Sequence, residues 1–504
     1  MMSNICENGL KPLLEDCEAA AAIDDHEGDE GEEDKEQEQQ QEEEKRRREC
    51  GFDDASASSS SCKSKLDLLE SFDNGSIIIS SSALQSDMQT ILNVVNLYVG
   101  VGLLSLGYAF RLGGWICLVV LAVLSIMFAY SAKLICWSFD KIPVGMVPSY
   151  PNLGFTAFGN PGHWLVMLMG VAEFFGASCM CLIIVWQSIE MLLPPGPWCF
   201  LRRTCISSRD AVIIGSPLIM LPAIWIRTFS RLTSISISGI LSSLILIAVV
   251  VTAFALDPTR EAVHDPSSSV HKAVNWAHLP IATGILIVSL SGHAGLPSLR
   301  RSMKNPQNFK FCLNLAFLAM FLLYATMAGF SYFYFGQATQ VLVTENLNKA
   351  SGVTGFVLLR LGCFSITINE VTTVLVALSA YSTIPALIYV AAELIVDIIS
   401  HPSSSRHHHP GFVDLLARTI ILALAYIVSY LAYHVLGSVE SIVGGVCSVS
   451  VSLLLPAVFY YKLHEQEMSF VKKSCVLGIC ALGIICLLGI ATINILELSN
   501  IIKL

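Results

Sequence analysis

Charged residues are scarce in this sequence. Only 14% of its 504 residues are Asp, Glu, Lys or Arg, whereas 54% are apolar. The mean hydropathy is +0.63, which excludes an ordinary soluble domain and indicates a polytopic membrane protein. The chain also lacks a phosphate-binding GxxxxGK[ST] motif, which argues against an ATP-driven pump.

Several other features are missing. No apolar segment follows Met1, so the sequence predicts no cleavable signal peptide. No nucleophile, base and oxyanion-binding set recurs, and no metal-ligand spacing occurs, so we expect neither an enzyme nor a cofactor or metal site, and no nucleic-acid partner. The run His407–His409 can catch a metal adventitiously, but a solvated loop explains it better.

The sixteen cysteines do not form a disulfide framework. Most stand singly within apolar stretches, which is typical of reduced packing residues. Cys199 and Cys205 share one polar loop and can form a bridge if that loop faces an oxidising compartment.

The acidity of the chain belongs to one end. Residues 1–54 hold 20 of the 40 acidic and 6 of the 30 basic residues, a net charge of −14, so the remainder is +4. The composition predicts that residues 1–85 form a disordered acidic tail on the cytosolic side. Residues 86–500 are the predicted transmembrane domain.

Eleven apolar stretches are near spanning length. The region 353–368 is a possible twelfth, but the distribution of basic residues between the two sides favours eleven. The eleven predicted spans are Ile91–Trp115, Trp115–Phe139, Trp164–Glu190, Ala211–Ile226, Thr233–Leu256, Leu279–Leu299, Cys312–Gly336, Val371–Ala392, Asp414–Leu436, Ser438–Tyr461 and Cys475–Leu496.

Two of these spans contain helix-breaking sequence. The first has Gly100 and Gly102 within ILNVVNLYVGVGLLSLGYAFRLGGW, and the sixth contains SLSGHAGLPS. The glycines of the first span can simply allow close packing of a neighbouring helix. A pair of interrupted spans at matching positions, however, is typical of the binding site of a secondary transporter.

The positions of the two interrupted spans predict the architecture. They are numbers one and six, so spans one to five and six to ten form equivalent halves with an odd number of spans each. An odd number requires that the halves have inverted topology. We therefore expect an all-α membrane protein with the 5+5 inverted repeat of the leucine-transporter fold and an eleventh helix.

Specific motifs in both interrupted spans resemble a known family. The residues concerned are Asn93, Asn96, Gly100, Gly102, Leu103, Leu104, Ser105, Tyr108, Ala109, Gly113, Gly114 and Trp115 in the first span, Ser291 to Ala294, Pro297, Ser302 to Lys304 and Phe309 around the sixth, and Gly336 after the seventh. In these residues the sequence is similar to the amino acid/auxin permease family, most of all to plant vacuolar amino acid transporters, which resemble vesicular inhibitory amino acid carriers.

An amino acid substrate brings a carboxylate and an ammonium group that both need partners. Half-helices offer free N–H groups at their N-termini and free carbonyls at their C-termini. The backbone N–H groups of Gly100, Val101, Gly102 and Leu103 are predicted to bind the carboxylate. The carbonyls around Ser291 and Gly292 are predicted to bind the ammonium group.

Four polar side chains in the spans are further candidates. Glu173 lies mid-span, where a charge is costly and usually functional, and the family has Glu-x-x-Gly here; a structural pair is the alternative. His293 can carry a coupling proton or make a structural hydrogen bond. Asn93 and Asn96 can bind substrate or an ion, or hold helices together.

The predicted function is secondary active transport of amino acids by alternating access, coupled to a proton gradient. Sodium coupling stays open, because Thr372, Thr373, Ser379, Ser382 and Thr383 can supply hydroxyl ligands. A non-transporting amino acid receptor and an ion channel are the alternatives. The resemblance implies a multi-pass protein of the vacuolar membrane, with the plasma membrane or another endomembrane as alternatives.

Overall fold

The computed structural model is almost entirely helical. It describes residues 84–193, 198–200, 204–226, 229–256, 269–343, 345–346, 357–361, 364–399, 411–434 and 440–498. Within these ranges, nine helices are long and apolar enough to cross a membrane, or ten if the two bent halves of the first helix count as one span. The chain is thus an all-helical polytopic membrane protein, as predicted.

Fourteen α-helices are labelled here in chain order. They are α1 Asp87–Gly113, α2 Ile116–Ser138, α3 Tyr150–Phe158, α4 Asn160–Leu192, α5 Ser208–Gly215, α6 Pro217–Ile224, α7 Phe229–Leu256, α8 Leu279–Ser289, α9 Leu296–Arg301, α10 Phe309–Phe335, α11 Ile368–Ile399, α12 Gly411–Leu431, α13 Leu455–His464 and α14 Phe470–Leu498.

Before α13, residues 443–448 and 450–454 are π-helical, and they belong with α13 to the span Glu440–His464, called the penultimate span below.

Helix α1 begins at a capping box and bends at its centre. The Ser86 hydroxyl accepts from the backbone N–H of Gln89, and the Gln89 side chain accepts from the N–H of Ser86, which satisfies two N–H groups at the helix start. The segments Asp87–Val99 and Gly102–Gly113 meet at 48°. The predicted interruption is therefore a bend in a chain that stays helical.

The sixth predicted span is interrupted outright. Helix α8 ends at Ser289, a short 3₁₀ turn covers His293–Gly295, and α9 then begins at Leu296. Gly292 lies between them with φ of +144°, a backbone conformation that only glycine adopts without strain. The predicted break in this span is confirmed.

The fourth predicted span is two short helices. Helix α5 ends before Ser216, and α6 begins at Pro217, which occupies the first position of a helix. Proline is well tolerated there because that N–H has no partner within the helix. The bend predicted from Pro217 and Pro222 is thus present as a break between α5 and α6.

Two antiparallel hairpins complete the described elements. Strand β1, Trp198–Phe200, pairs with β2, Thr204–Ile206, and their register sets Cys199 opposite Cys205. Strand β3, Val357–Leu361, pairs with β4, Phe364–Thr367. The second hairpin lies where a twelfth span was possible, so these strand residues do not form a helix. The predicted bridge between Cys199 and Cys205 stays a prediction.

The interrupted helices lie inside the bundle. Helix α1 packs against α8, α10 and α7, and α4 packs along α11. Large apolar side chains point outward from the helices around them, such as Ile126 of α2, Leu318 of α10, Leu424 of α12 and Ile485 of α14. Exposed apolar side chains on membrane-length helices are the surface expected against lipid.

Contacts between connecting segments define two sides of the bundle. On the side where α1 begins, the tail side, Gln85 pairs with Ser302 after α9, and Lys141 after α2 pairs with Glu467 before α14. The Lys141 ammonium holds the pKa of Glu467 below its ordinary value. On the opposite, distal side, Trp115 N–H donates to the Lys272 carbonyl.

Some predictions concern parts of the chain that the structure does not describe. The acidic tail, apart from residues 84 and 85, lies outside the described residues, as does the run His407–His409. The predicted disorder and cytosolic location of the tail stay predictions.

Candidate functional site

A small buried cavity lies where the two interrupted spans meet. Its volume is about 30 Å³, which is room for about two water molecules. Helices α1, α4, α8 and α11, the break after α8 and the penultimate span all contribute to its wall. The lining residues are Leu97, Tyr98, Gly102, Glu173, Phe174, Ala177, Met180, Cys181, Val288, Ser291, Gly292, Thr383, Leu387 and Ser448.

Glu173 supplies the charged group in this wall. Its side chain is 3% exposed, and neither carboxyl oxygen makes a hydrogen bond to a described group. The hydroxyls of Ser291 and Ser448 are the polar side chains that approach it. The wall contains no Lys, Arg or His. Since an unpaired carboxylate is costly in an apolar interior, this group requires a proton or a cationic ligand.

The predicted carboxylate-binding glycine is also a packing contact. A Cβ atom on Gly102 would lie 2.6 Å from Cα of Ser289, the last residue of α8. The bend of α1 and the end of α8 therefore touch through backbone. Gly292, the residue with positive φ, also packs closely, but against a side chain: its Cβ position lies 3.1 Å from the Tyr98 ring.

Tyr324 of α10 joins the two interruptions, and the sequence analysis missed it. Its hydroxyl lies 2.9 Å from the Tyr98 carbonyl in α1 and 2.8 Å from the Ser289 carbonyl at the end of α8. Both carbonyls lie where a helix bends or stops, and carbonyls there lose their regular N–H donors. One tyrosine among many in an apolar stretch gives no sequence signal for this role.

His293 is held by hydrogen bonds on both ring nitrogens. Nε2 lies 3.0 Å from the Phe128 carbonyl, and Nδ1 lies 3.3 Å from the Tyr98 hydroxyl. Because a carbonyl only accepts, Nε2 carries the proton in the neutral ring and Nδ1 accepts from Tyr98. The ring is fully buried and does not line the cavity. This geometry matches the structural alternative for His293.

Asn96 connects α1 to α11 on the tail side of the bend. Its amide donates to the Ser382 carbonyl at 3.1 Å, its oxygen accepts from the Ser382 hydroxyl at 2.9 Å, and its carbonyl accepts from the Thr383 hydroxyl at 3.3 Å. Asn93 lies one turn nearer the tail side, where its amide donates to Gln85 and Thr233. Neither asparagine side chain lines the cavity.

The structure thus assembles part of the predicted site. Gly102, Glu173, Ser291 and Gly292 share the cavity, whereas Leu103 is buried in the core. Gly100 and Val101 lie at the bend of α1. Ser448 also lines the cavity, and the sequence analysis missed it because a serine in an apolar span is common.

Comparisons with known proteins identify the family of the chain. A family model described as transmembrane amino acid transporter protein matches residues 85–497. The chain belongs to this family. The family and its relatives are transporters and not enzymes, and the resemblance drawn from the sequence motifs is confirmed.

Three relatives of this family member are amino acid transporters of Arabidopsis thaliana. AVT1E is 28% identical over 79% of this chain and 70% of its own length, and AVT1B is 26% identical over 79% and 68%. AVT1H is 27% identical over 82% of this chain and 90% of its own length.

A solved structure shares the fold of this family member. The crystal structure of MhsT in complex with L-phenylalanine matches 81% of this chain and 98% of its own chain, with a TM-score of 0.53 at 16% identity. The fold is therefore that of a leucine-transporter-like protein.

Proposed function

We propose that this protein is a secondary active transporter that moves amino acids by alternating access and is driven by a proton gradient. The observation that carries the proposal is the cavity itself. In a member of an amino acid transporter family, a buried carboxyl that makes no hydrogen bond to a described residue lies where a bent and a broken helix meet. That is where transporters of this construction bind substrate and coupling ion.

Glu173 is the proposed carrier of the coupling proton. Its oxygens face a cavity without a basic side chain, so the carboxyl group binds either a proton or the ammonium group of the substrate. Exchange of the proton for the ammonium group would couple proton movement to substrate movement. His293 is the second candidate, but its two hydrogen bonds make Glu173 the better supported of the pair.

Sodium coupling is supported less well than proton coupling. The hydroxyls of Ser382 and Thr383 both donate hydrogen bonds within the protein, to Asn96 and to the Ser379 carbonyl. Ser379 shares a further hydrogen bond with Ser243 at 2.8 Å. These hydroxyls keep their acceptor lone pairs for a sodium ion, so the preference for a proton rests on Glu173, whose buried carboxyl makes no hydrogen bond to a described group.

The substrate is proposed to lie between the two interruptions. Its carboxylate would meet the backbone around Gly100, Val101, Gly102 and Leu103, and its ammonium group the carbonyls around Ser291 and Gly292. A cavity of about 30 Å³ is too small for any amino acid. Helix α1 or α8 must therefore move away from the other before substrate can bind, which is the movement that alternating access requires.

The proposed architecture is eleven spans, the first ten forming a 5+5 inverted repeat. The pair α5 and α6 would be the fourth span, and α14 the eleventh. The ion pair between Lys141 and Glu467 supports this count, because the segments after the second and the tenth span then lie on the same side of the bundle. We further propose the vacuolar membrane as the location, with the acidic tail in the cytosol.

A transport assay in proteoliposomes tests the proposal. Uptake of labelled amino acids is measured with the pH gradient and the sodium gradient varied independently. We expect uptake to follow the pH gradient alone, and Glu173→Gln to abolish accumulation while leaving exchange of internal for external substrate. Substrate binding without uptake would indicate a receptor, and current without saturation would indicate a channel.

The control is Glu370→Gln. Glu370 is exposed at the start of α11, where its carboxylate accepts from the Thr367 N–H, so its replacement leaves coupling intact. Accumulation that follows sodium instead of pH would overturn the proton assignment, and full accumulation by Glu173→Gln would overturn the role of Glu173.

A further inference from the structure

The penultimate span carries a second buried carboxyl. Glu440 is fully buried, and neither of its oxygens makes a hydrogen bond to a described group. It begins the Glu440–His464 span on the distal side, since the other end of that span leads to Glu467 on the tail side. The described ion pairs do not include Glu440.

Small and polar residues continue from Glu440 along one line of this helix. Gly444 and Ser448 follow at intervals of four, and both are buried. In a regular α-helix each interval of four turns the side chain by roughly 40° beyond one full turn. The wider π-helical turns of residues 443–448 and 450–454 take more residues per turn and keep these positions closer to one line.

At each end of this line, a carboxyl group and a hydroxyl group from different helices lie close together. At the distal end, the Ser105 hydroxyl of α1 approaches Glu440, and Ser105 Oγ has no described hydrogen-bond partner. At the cavity end, the Ser448 hydroxyl approaches Glu173 and likewise has no described hydrogen bond of good geometry. Buried polar groups are nearly always bonded, so each carboxyl and the hydroxyl beside it are expected to share a proton or a water molecule.

The surroundings of Glu440 hold no described counter-charge. Helix α8 presents Gly284 to the neighbouring Ser441 and Gly444, and α14 presents Asn494, which donates to Ser441. Helix α4 contributes Glu173, which faces Ser448 and interacts electrostatically with Cys447. The basic residue of α1, Arg111, donates to the Thr339 carbonyl and forms no described ion pair with Glu440.

We propose that Glu440 is a second proton-binding site, and that Glu440, Ser105 and Ser448 form a path that carries protons between the distal side and Glu173. This inference rests on the proposed function and extends it. A proton from the distal side binds the Glu440 carboxylate, passes through hydroxyl groups and water along the penultimate span, and neutralises the Glu173 carboxylate. One proton is taken up at one carboxyl for each released at the other.

The path is closed at Gly444 in this structure. A Cβ atom at Gly444 would lie 2.3 Å from the carbonyl oxygen of Gly284 in α8, so no water fits between them. Glu440 and Ser448 are eight residues apart, roughly 12 Å along a helix, which is too far for direct transfer. Protons therefore pass only when α8 separates from the penultimate span, so proton transfer depends on the conformational change.

Infrared difference spectroscopy of the purified full chain tests proton binding without requiring transport. A pH jump changes the carbonyl-stretch bands of protonated carboxyl groups. We expect two buried carboxyl bands in the native protein, of which Glu440→Gln removes one and Glu173→Gln the other. Identical carboxyl bands in the native protein and Glu440→Gln would overturn the proposal, even if the protein transports nothing.

Transport by variants tests the path. In proteoliposomes, Glu440→Gln is expected to lose accumulation driven by a pH gradient and to retain exchange, and Ser448→Ala is expected to lose accumulation. Ser452→Ala is the matched control, because the Ser452 hydroxyl on the same span also has no described hydrogen-bond partner but lies beyond Ser448 toward the tail side. Unchanged accumulation by Glu440→Gln, or equal loss by Ser452→Ala, would overturn the path. Native protein that accumulates nothing would refute the proposed function instead.

Discussion

At the residue scale, two backbone contacts decide how the interrupted spans fit together. Gly102 touches the end of α8, and Gly444 touches its middle. In both places a hydrogen atom in place of a side chain lets one helix backbone approach another, the usual role of small residues between membrane helices. Gly102 thus combines the two roles that the sequence left open, since it packs on Ser289 and also lines the cavity.

Gly102→Ala should lower the melting temperature of the purified protein. The added methyl group would lie 2.4 Å from Cβ of Ser289, and overpacking of this kind costs about 1–3 kcal/mol. Contacts this short place the cost toward the upper end of that range, above the gain in helix propensity of about 1 kcal/mol for Gly to Ala. Thermal unfolding in detergent measures the effect.

Gly329→Ala is the matched control for this change. Gly329 lies within α10, and a Cβ atom there would have open space around it, so only the gain in helix propensity remains. A Gly102→Ala protein as stable as Gly329→Ala would show that α1 and α8 are not in contact at Ser289.

The residues that the sequence could identify are those whose chemistry is unusual for a membrane. Glu173 stands out because a carboxyl within an apolar stretch is costly, and the structure places it in the cavity wall. Glu440 was missed although it lies within the predicted span Ser438–Tyr461, because it is near the predicted end, where a charge needs no explanation. Its polar neighbour is Ser105 of a distant helix, which no local pattern reveals.

At the scale of elements, the short helix α9 is tied to α11 on the tail side. Arg301 at the end of α9 pairs with Glu393, whose other oxygen accepts from the Ser298 hydroxyl, and Arg301 also donates to the Pro148 carbonyl. The two charged side chains are 27% and 25% exposed. This ion pair thus holds the tail-side half of the broken span against the long helix beside it.

A double-mutant cycle on Arg301→Gln and Glu393→Gln should give a coupling free energy of about 1–2 kcal/mol. That is more than an exposed pair contributes and less than the cost of breaking a fully buried one. Stability of the two single variants and the double variant supplies the cycle.

The exposed pair Lys141–Glu467, with exposures of 33% and 62%, is the comparison. Its coupling is expected to stay below about 1 kcal/mol. A coupling near zero for Arg301 and Glu393 would mean that the pair does not hold α9.

Most elements were predictable, and the exceptions have physical reasons. Long apolar stretches and Pro217 gave the spans and the break between α5 and α6. Glycine in the first span predicted an interruption, whereas the structure shows a bend of 48°, because glycine weakens a helix without removing its N–H donors as proline does. The hairpin β3–β4 alternates too weakly for a sequence pattern to predict it.

At the scale of the whole molecule, the start of the first helix is held by the residues directly before it. Helix α1 is capped by Ser86, and Gln85 pairs with Ser302, so the segment before residue 84 is not needed to start the first helix. Deletion of residues 1–80 should therefore leave substrate binding unchanged. Substrate-induced stabilisation of the purified, truncated protein measures this, since a ligand that binds the folded state raises its melting temperature.

Deletion of residues 1–86 is the contrasting variant. It removes the cap of α1 and the Gln85 contact, and loss of a helix N-cap costs about 1 kcal/mol. A truncation at residue 80 that binds no substrate would show that the acidic tail is part of the site.

The small cavity also sets a limit on affinity. If the conformation seen here is the dominant one, only the fraction of molecules with a wider cavity can bind substrate, and the apparent affinity is reduced by that fraction. Each tenfold decrease in the fraction of molecules with the wider cavity weakens the apparent binding free energy by about 1.4 kcal/mol. Substitutions that loosen the contacts between α1 and α8 without touching the substrate would then tighten binding, and a weak apparent affinity would be a property of the closed population, not of the site.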